Sequence, residues 1–256
     1  VNAGGRVSSS LPILSMNSIH ALLSNAQIPN ASVISLSSMN GSNGFRLDGV
    51  SKEDESGISV NSAGDFNGDG YDDVIIGAVA TDWNGVTSGS SYIVFGKSTI
   101  FDATINLSTL DGNNGFRLDG LKALDQSGKV VNYAGDINND GFSDLIVGAP
   151  EGSNNGNQSG SAYIIFGKPN NISSVINLSG LSGSDGFRVD GSASDELGCS
   201  VSSAGDVNGD GFDDIIIGAH IFGTQSYINY SGASYVIFGS SGWSNSLLNL
   251  SSLNGS

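Results

Sequence analysis

The chain of 256 residues has one cysteine, four prolines, two histidines and only nine Lys and Arg residues. A lone thiol, Cys199, makes an internal disulfide impossible, so something else must brace the loops of a chain working outside a cell. The two histidines, His20 and His220, lie in no repeated context, and no Ser/His/Asp order surrounds His220, so a hydrolytic relay is not expected. Nine bases against 25 acids give a formal charge of −16, which excludes the basic footprint of a nucleic-acid binder. No apolar run approaches the roughly 18 residues of a membrane span. Near the amino terminus Arg6 is the only base, and the apolar stretch from Leu11 to Leu23 is interrupted by Pro12, Asn17 and His20, so it does not read as a signal peptide.

What the chain has in quantity is glycine, 38 residues, mixed with Asn, Ser, β-branched and aromatic residues. With 38% hydrophobic and only 13% charged residues it is not a disordered chain, and the mixture predicts many short strands joined by turns. A repeat organises it. GSNGFRLDG (41–49), GNNGFRLDG (112–120) and GSDGFRVDG (183–191) recur 71 residues apart. AGDFNGDGYDDVIIGA (63–78), AGDINNDGFSDLIVGA (134–149) and AGDVNGDGFDDIIIGA (204–219) follow them, and then SGSSYIVFG (88–96), SGSAYIIFG (159–167) and SGASYVIFG (231–239). Such self-similarity means stacked units, none able to bury its apolar face alone.

Each unit reads as four short strands: the GFRLDG run, the run ending in Ala-Gly-Asp, the apolar run ending in Gly-Ala, and the run ending in Phe-Gly. Four antiparallel strands arranged radially make a β-propeller blade, and the alternative is a sandwich of similar hairpins. The expected blades are 51–121, 122–192 and 193–256, with 31–49 as a flanking or closing strand segment and 1–30 as a cap or linker. Three repeat periods are fewer than the roughly four to eight blades of a closed ring, so this is a partial propeller: a piece of a larger one, or a set of blades that copies complete together.

The chemistry is concentrated in three loops. Oxygen-bearing side chains fall at positions 1, 3, 5 and 9: Asp65, Asn67, Asp69 and Asp73; Asp136, Asn138, Asp140 and Asp144; Asp206, Asn208, Asp210 and Asp214. Gly70, Gly141 and Gly211 occupy position 6, where positive φ permits the sharp turn, and Tyr71, Phe142 and Phe212 at position 7 can offer a carbonyl oxygen. This spacing suits a hard cation with six to eight oxygen ligands. Ca²⁺ is favoured over Mg²⁺, and zinc lacks sulfur or imidazole ligands. It is not an EF-hand, because position 12 is Ile76, Val147 or Ile217 within an apolar run. Asx-turns alone would also place Asp and Asn here, but three carboxylates converging in each of three loops would repel one another without a cation. Three bound Ca²⁺ would bring the formal charge to about −10.

These motifs resemble the FG-GAP repeats of the integrin α-subunit β-propeller, also found in bacterial surface and secreted proteins. The likeness covers roughly 31–256. It rests on the Ala-Gly-Asp loop, the apolar strand ending in Gly-Ala and the Tyr-x-x-Phe-Gly strand. The name-giving Phe-Gly is replaced by Ser56-Gly57, Ser127-Gly128 and Leu197-Gly198, and Gly-Ala-Pro is complete only at Gly148-Ala149-Pro150. The resemblance implies Ca²⁺ loops on one face and ligand-recognising loops on the other, with adhesion or protein binding outside the cell. On that second face it places 79–88, 150–159 and 220–231, with 50–56, 121–127 and 192–197. Trp83, Phe222, Tyr227 and Tyr230 are its candidate partner-binding aromatics, for a protein or glycan ligand. The family also accompanies phospholipase-type catalytic domains, which makes an accessory propeller of a secreted hydrolase the alternative; no catalytic residue is expected in this chain. Millimolar external Ca²⁺ would saturate even loops of about 10⁻⁴ M affinity, which favours a secreted or cell-surface location. Arg46, Arg117 and Arg188 are expected to pair with acids, Asp48, Asp119 and Asp190 to form turns with the glycines that follow them, and Cys199 to be a small strand residue.

Overall fold

The computed structural model describes residues 35–169, 172–221 and 231–250. The chain divides into Val1–Met39 and Asn40–Ser256. Of the first unit only an exposed 3₁₀ turn, Leu36–Ser38, falls among the described residues, so the expected cap or linker at 1–30 lies outside them. The second unit is built of strands, and none of its described residues is in an α-helix.

The first blade contains β2 (Ser56–Gly64), β3 (Asp73–Ala78) and β4 (Ser90–Val94), followed by β6 (Gly115–Asp119). The second contains β7 (Val130–Gly135), β8 (Asp144–Ala149), β9 (Ser161–Ile165) and β11 (Gly186–Asp190). The third contains β12 (Leu197–Gly205), β13 (Asp214–Ala219) and β14 (Ala233–Ile237). Successive strands pair antiparallel in each, which is the partial β-propeller expected from the repeats. The central runs are apolar because they are covered on both faces: every residue of β4, β8 and β9 is buried.

A strand that the repeats did not suggest completes the pattern. β5 (Thr104–Asn106), β10 (Val175–Asn177) and β15 (Leu247–Asn249) pair parallel with β1 (Arg46–Asp48), β6 and β11, the outer strands of the preceding units. The complete blades therefore have five strands, in the orders β10-β6-β4-β3-β2 and β15-β11-β9-β8-β7. In the first two copies the Asn of this Ile-Asn-Leu-Ser run then caps a 3₁₀ turn, Asn106 accepting from the N–H of Ser108 and Asn177 from that of Ser179, while Leu107 and Leu178 enter the core. The first segment of the second unit supplies β1, which pairs with β5; among the described residues β14 pairs with β13.

The core lies between blades. Ile75, Ile93, Phe116 and Leu118 of the first pack against Val131, Leu145, Val147 and Tyr163 of the second. Ile146, Ile164, Phe166 and Phe187 of the second pack against Val201, Ile215 and Ile217 of the third. One repeat cannot bury its apolar residues alone, which is why the pattern recurs.

Candidate metal centre

Each candidate loop joins the first strand of a blade to the second, at one edge of the sheet. The loop begins where the pairing register slips by one residue, between Ser62 and Gly64, Tyr133 and Gly135, or Ser203 and Gly205. Position 6 has the left-handed backbone its glycine permits, with φ of 89° at Gly70, 90° at Gly141 and 91° at Gly211. A conformation so alike in three copies follows from the same residues bonding in the same way.

The side chains at positions 1, 3 and 5 turn into the loop. One Asp65 oxygen accepts from the N–H of Asp69 at 3.0 Å and the other from that of Gly70 at 2.9 Å. The Asn67 oxygen shares the Asp69 N–H at 3.0 Å, and Asp69 accepts from the N–H of Tyr71 at 2.9 Å. Asp136, Asn138 and Asp140 repeat these bonds, as do Asp206, Asn208 and Asp210, all at 2.9–3.1 Å.

The aspartate at position 9 does something different. Asp73, Asp144 and Asp214 open the second strand and are buried. One oxygen of each accepts from the N–H at position 2 (Phe66, Ile137 and Val207), and the other from the glycine that ends the Phe-Gly run (Gly96, Gly167 and Gly239). This residue ties its loop to the third strand of its own blade. Burial pushes the Asp73 carboxyl up to about 7 and that of Asp144 up to about 8. The two N–H donors oppose the rise in each case, and the charges at positions 1 and 5 add to it.

Among the described residues, no three His, Cys, Asp or Glu side chains stand close enough to hold a metal ion together. The oxygens at 1, 3 and 5 are gathered by shared backbone donors, and position 9 is anchored nearby by its own pair. Donor chemistry and loop path fit a hard cation: all-oxygen side chains, a glycine turn at 6, and, in the first two loops, carboxylates at positions 1 and 5 close enough to raise the proton affinity of the one at position 9.

The residues at positions 2 and 8, outside the expected ligand set, join the loops to each other. Ser143 donates its N–H to the Asp65 carbonyl at 3.1 Å, and Lys168 donates to that of Phe66 at 3.0 Å. In the next pair Asp213 donates to the Asp136 carbonyl, Ser240 donates to that of Ile137, and an Asp213 oxygen accepts from the N–H of Asp136 at 2.9 Å. The apolar residue at position 2 and the acid or hydroxyl at position 8 were the available sequence signals.

On the opposite edge of the blades the loops are laced by backbone bonds. Leu124, Gln126 and Ser127 donate to the carbonyls of Val86, Thr87 and Ser88, and Ser194, Glu196 and Leu197 donate to Asn157, Gln158 and Ser159. Trp83 is here, half exposed, with its ring 3.8 Å from the Arg117 guanidinium. Phe222, Tyr227 and Tyr230 lie outside the described residues. The arginines do pair with acids, each with the aspartate two residues on. Asp119 and Asp190 are therefore not mere turn formers, as the sequence suggested. They are buried, hold Arg117 and Arg188, and accept from the Ser90 and Ser161 hydroxyls, because the strand alternation puts all three groups on one face. His220 is exposed, 3.5 Å from Glu196, and the Cys199 thiol donates to the Gly218 carbonyl.

Comparison with known proteins follows this geometry. The FG-GAP repeat family matches at 57–94, 133–165 and 200–237, each match running from the first strand of a blade through its third. The chain is 30% identical over 182 residues to integrin alpha-5 of Xenopus laevis, covering 69% of this chain and 15% of that protein. It is 29% identical over 158 residues to integrin alpha pat-2 of Caenorhabditis elegans, covering 60% and 12%. To the phosphatidylinositol-glycan-specific phospholipase D of Bos taurus it is 34% identical over 188 residues, covering 70% and 21%. The chain thus spans about a fifth or less of these relatives. No described helix is long and apolar enough to cross a membrane. Three matched repeats, each folded as one blade's hairpin pair and carrying the same aspartate loop, make this an integrin-α-like FG-GAP repeat protein.

Proposed function

We propose that the chain is an extracellular, calcium-stabilised propeller module that binds a protein or glycan ligand and performs no catalysis itself. The observation that carries this reading is the threefold identity of the aspartate loops, down to the same backbone bonds at positions 1, 3, 5 and 9. Asp65, Asn67, Asp69 and Asp73, their counterparts in the other two loops, and the carbonyls of Tyr71, Phe142 and Phe212 would hold one Ca²⁺ per loop. The ion would supply positive charge beside the carboxylates at positions 1 and 5, and would brace the hairpin next to it. The likeness to integrin α-chains supports adhesion-type binding, and the half-exposed Trp83 on the opposite edge is a fitting anchor.

Calcium titration calorimetry on the metal-free chain tests the cation sites: three bound ions support them, and no binding heat refutes them. Surface plasmon resonance against extracellular proteins and glycans tests the ligand face. Binding that Trp83→Ala weakens supports it, and binding indifferent to that change removes Trp83 from the site. The likeness to the bovine phospholipase D favours a second reading, an accessory propeller of a secreted hydrolase. A catalytic domain in the same polypeptide would decide for it.

A further inference from the structure

Leu124 is unfavourable to the fold on two counts. It is a bulky apolar residue held in the left-handed region, at φ 68°, and it is 63% exposed. The backbone does not require leucine there: Glu53 at φ 70° and Ser194 at φ 67° hold the same place in the neighbouring connections. Thr87, β-branched at φ 53°, is a second residue of this kind, and its carbonyl accepts from the N–H of Gln126 at 3.2 Å. The lacing of the loops sets Leu124 beside Val86, donating its N–H to the Val86 carbonyl at 2.8 Å, and Val86 is 65% exposed. Trp83, 50% exposed, stands on the turn just before it, which the Gly85 N–H closes onto the Asp82 carbonyl. The next pair of loops makes the same lacing bonds but has Asn154, Asn157 and Ser194 in these three places.

The exposure arises where two complete blades meet. One loop belongs to the first blade and the other leads from it into the second, and these blades pack together through Phe116, Leu118, Val131 and Tyr163. Neither burial nor backbone geometry favours an apolar residue at Leu124. Strained, exposed positions on a rigid frame are where recognition is placed.

The polar side chains nearby are engaged inward. Asn84 donates its amide to the Gly120 carbonyl at 2.7 Å, and Thr81 donates its hydroxyl to Ser90. Arg117 is held by Asp119 against the Trp83 ring, and the Lys122 ammonium donates to the Ser153 carbonyl. A sugar is held by hydrogen bonds to its hydroxyls, and these groups no longer offer them. The charge left facing outward is acidic: Asp82 on the same loop, and Glu53 and Glu55 on the preceding connection, where Lys52 is the one base.

We propose that Trp83, Val86 and Leu124 form a contact site for a protein segment that presents an apolar side chain next to a lysine or arginine. The apolar side chain covers Val86 and Leu124, and the base meets the acids around them. This rests on the reading of this edge as the ligand-binding one and narrows it to one pair of loops, and to a protein rather than a glycan. It does not depend on the cation reading.

Selection of a phage-displayed random dodecapeptide library on the full 256-residue chain tests it. Enriched peptides should carry an apolar residue within two positions of Lys or Arg. A synthetic copy of the most enriched one should bind Leu124→Ser about tenfold more weakly, read by fluorescence polarisation. Val86→Asn should weaken it similarly. Serine and asparagine already stand at these places on the next loops, so neither change should lower the melting temperature. A lower melting temperature for Leu124→Ser would make Leu124 a residue of the fold and overturn the proposal. Enriched peptides that are acidic or wholly polar overturn it too, as does a peptide that binds both variants unchanged. An array of free glycans separates this inference from the broader reading. Glycan binding that Trp83→Ala weakens, with no peptide enriched, keeps the ligand edge and overturns the protein site; binding of neither class removes both.

Discussion

Asp140 and Asp144 stand four positions apart in one loop and do different work. Asp140 accepts the Phe142 N–H and the Asn138 side-chain amide, both within the loop, whereas Asp144 is buried and satisfies the N–H groups of Ile137 and Gly167. Asp144→Ala would leave two buried donors without partners and should destabilise the metal-free protein by about 2–4 kcal/mol in denaturant titration. Asp69→Ala should instead leave the metal-free melt almost unchanged and reduce calorimetric Ca²⁺ stoichiometry from three to two; retention of all three would remove Asp69 from the ligand set. The arginines offer a similar contrast. Arg117 pairs with the buried Asp119, so Arg117→Ala should cost about 3–5 kcal/mol by leaving that charge unpaired. Arg46 makes the same bidentate bond to Asp48 in solvent, and Arg46→Ala should give no measurable change in the single chain.

At the scale of the element, the Phe-Gly ending of each third strand is a packing requirement. A methyl group at Gly167 would lie 2.4 Å from the Ser143 carbonyl oxygen and 2.9 Å from that of Phe66. Both neighbours are backbone belonging to loops that cannot give way without breaking the bonds described above. Gly167→Ala should therefore lower stability by about 1–3 kcal/mol, measured by thermal melting, although the strand tolerates alanine elsewhere, as at Ala162. The short parallel strands act differently. β10 carries an apolar loop residue, Ile172, onto the core around Phe116, and after β14 the equivalent loop stacks Trp243 on Phe187 with ring centres 4.2 Å apart. Each outer strand is thereby clasped by the following repeat.

Across the whole unit, the aspartate loops are linked from blade to blade through Ser143, Lys168, Asp213 and Ser240. An ion held in one loop would therefore stiffen an interface between blades. Removing Ca²⁺ should lower the melting temperature of one cooperative transition rather than release a single hairpin. Scanning calorimetry with and without chelator measures this, and equal midpoints would count against calcium as a structural ion.

The residues alone determined the repeat, the strand order within each hairpin and the composition of the aspartate loops. Each of these follows from local alternation, turn chemistry and self-similarity, which a linear sequence displays. The fifth strand and its parallel pairing with the preceding unit were not legible, because a three-residue strand gains its partner only across the sheet. Only the tertiary structure separated Asp144 from Asp140 and Asp119 from Asp48, since burial and the second hydrogen-bond partner come from segments far along the chain. It also distinguished Val60 from Val131 and Phe238 from Phe166, residues alike in sequence context, because a repeat buries its face only where another repeat stands beside it.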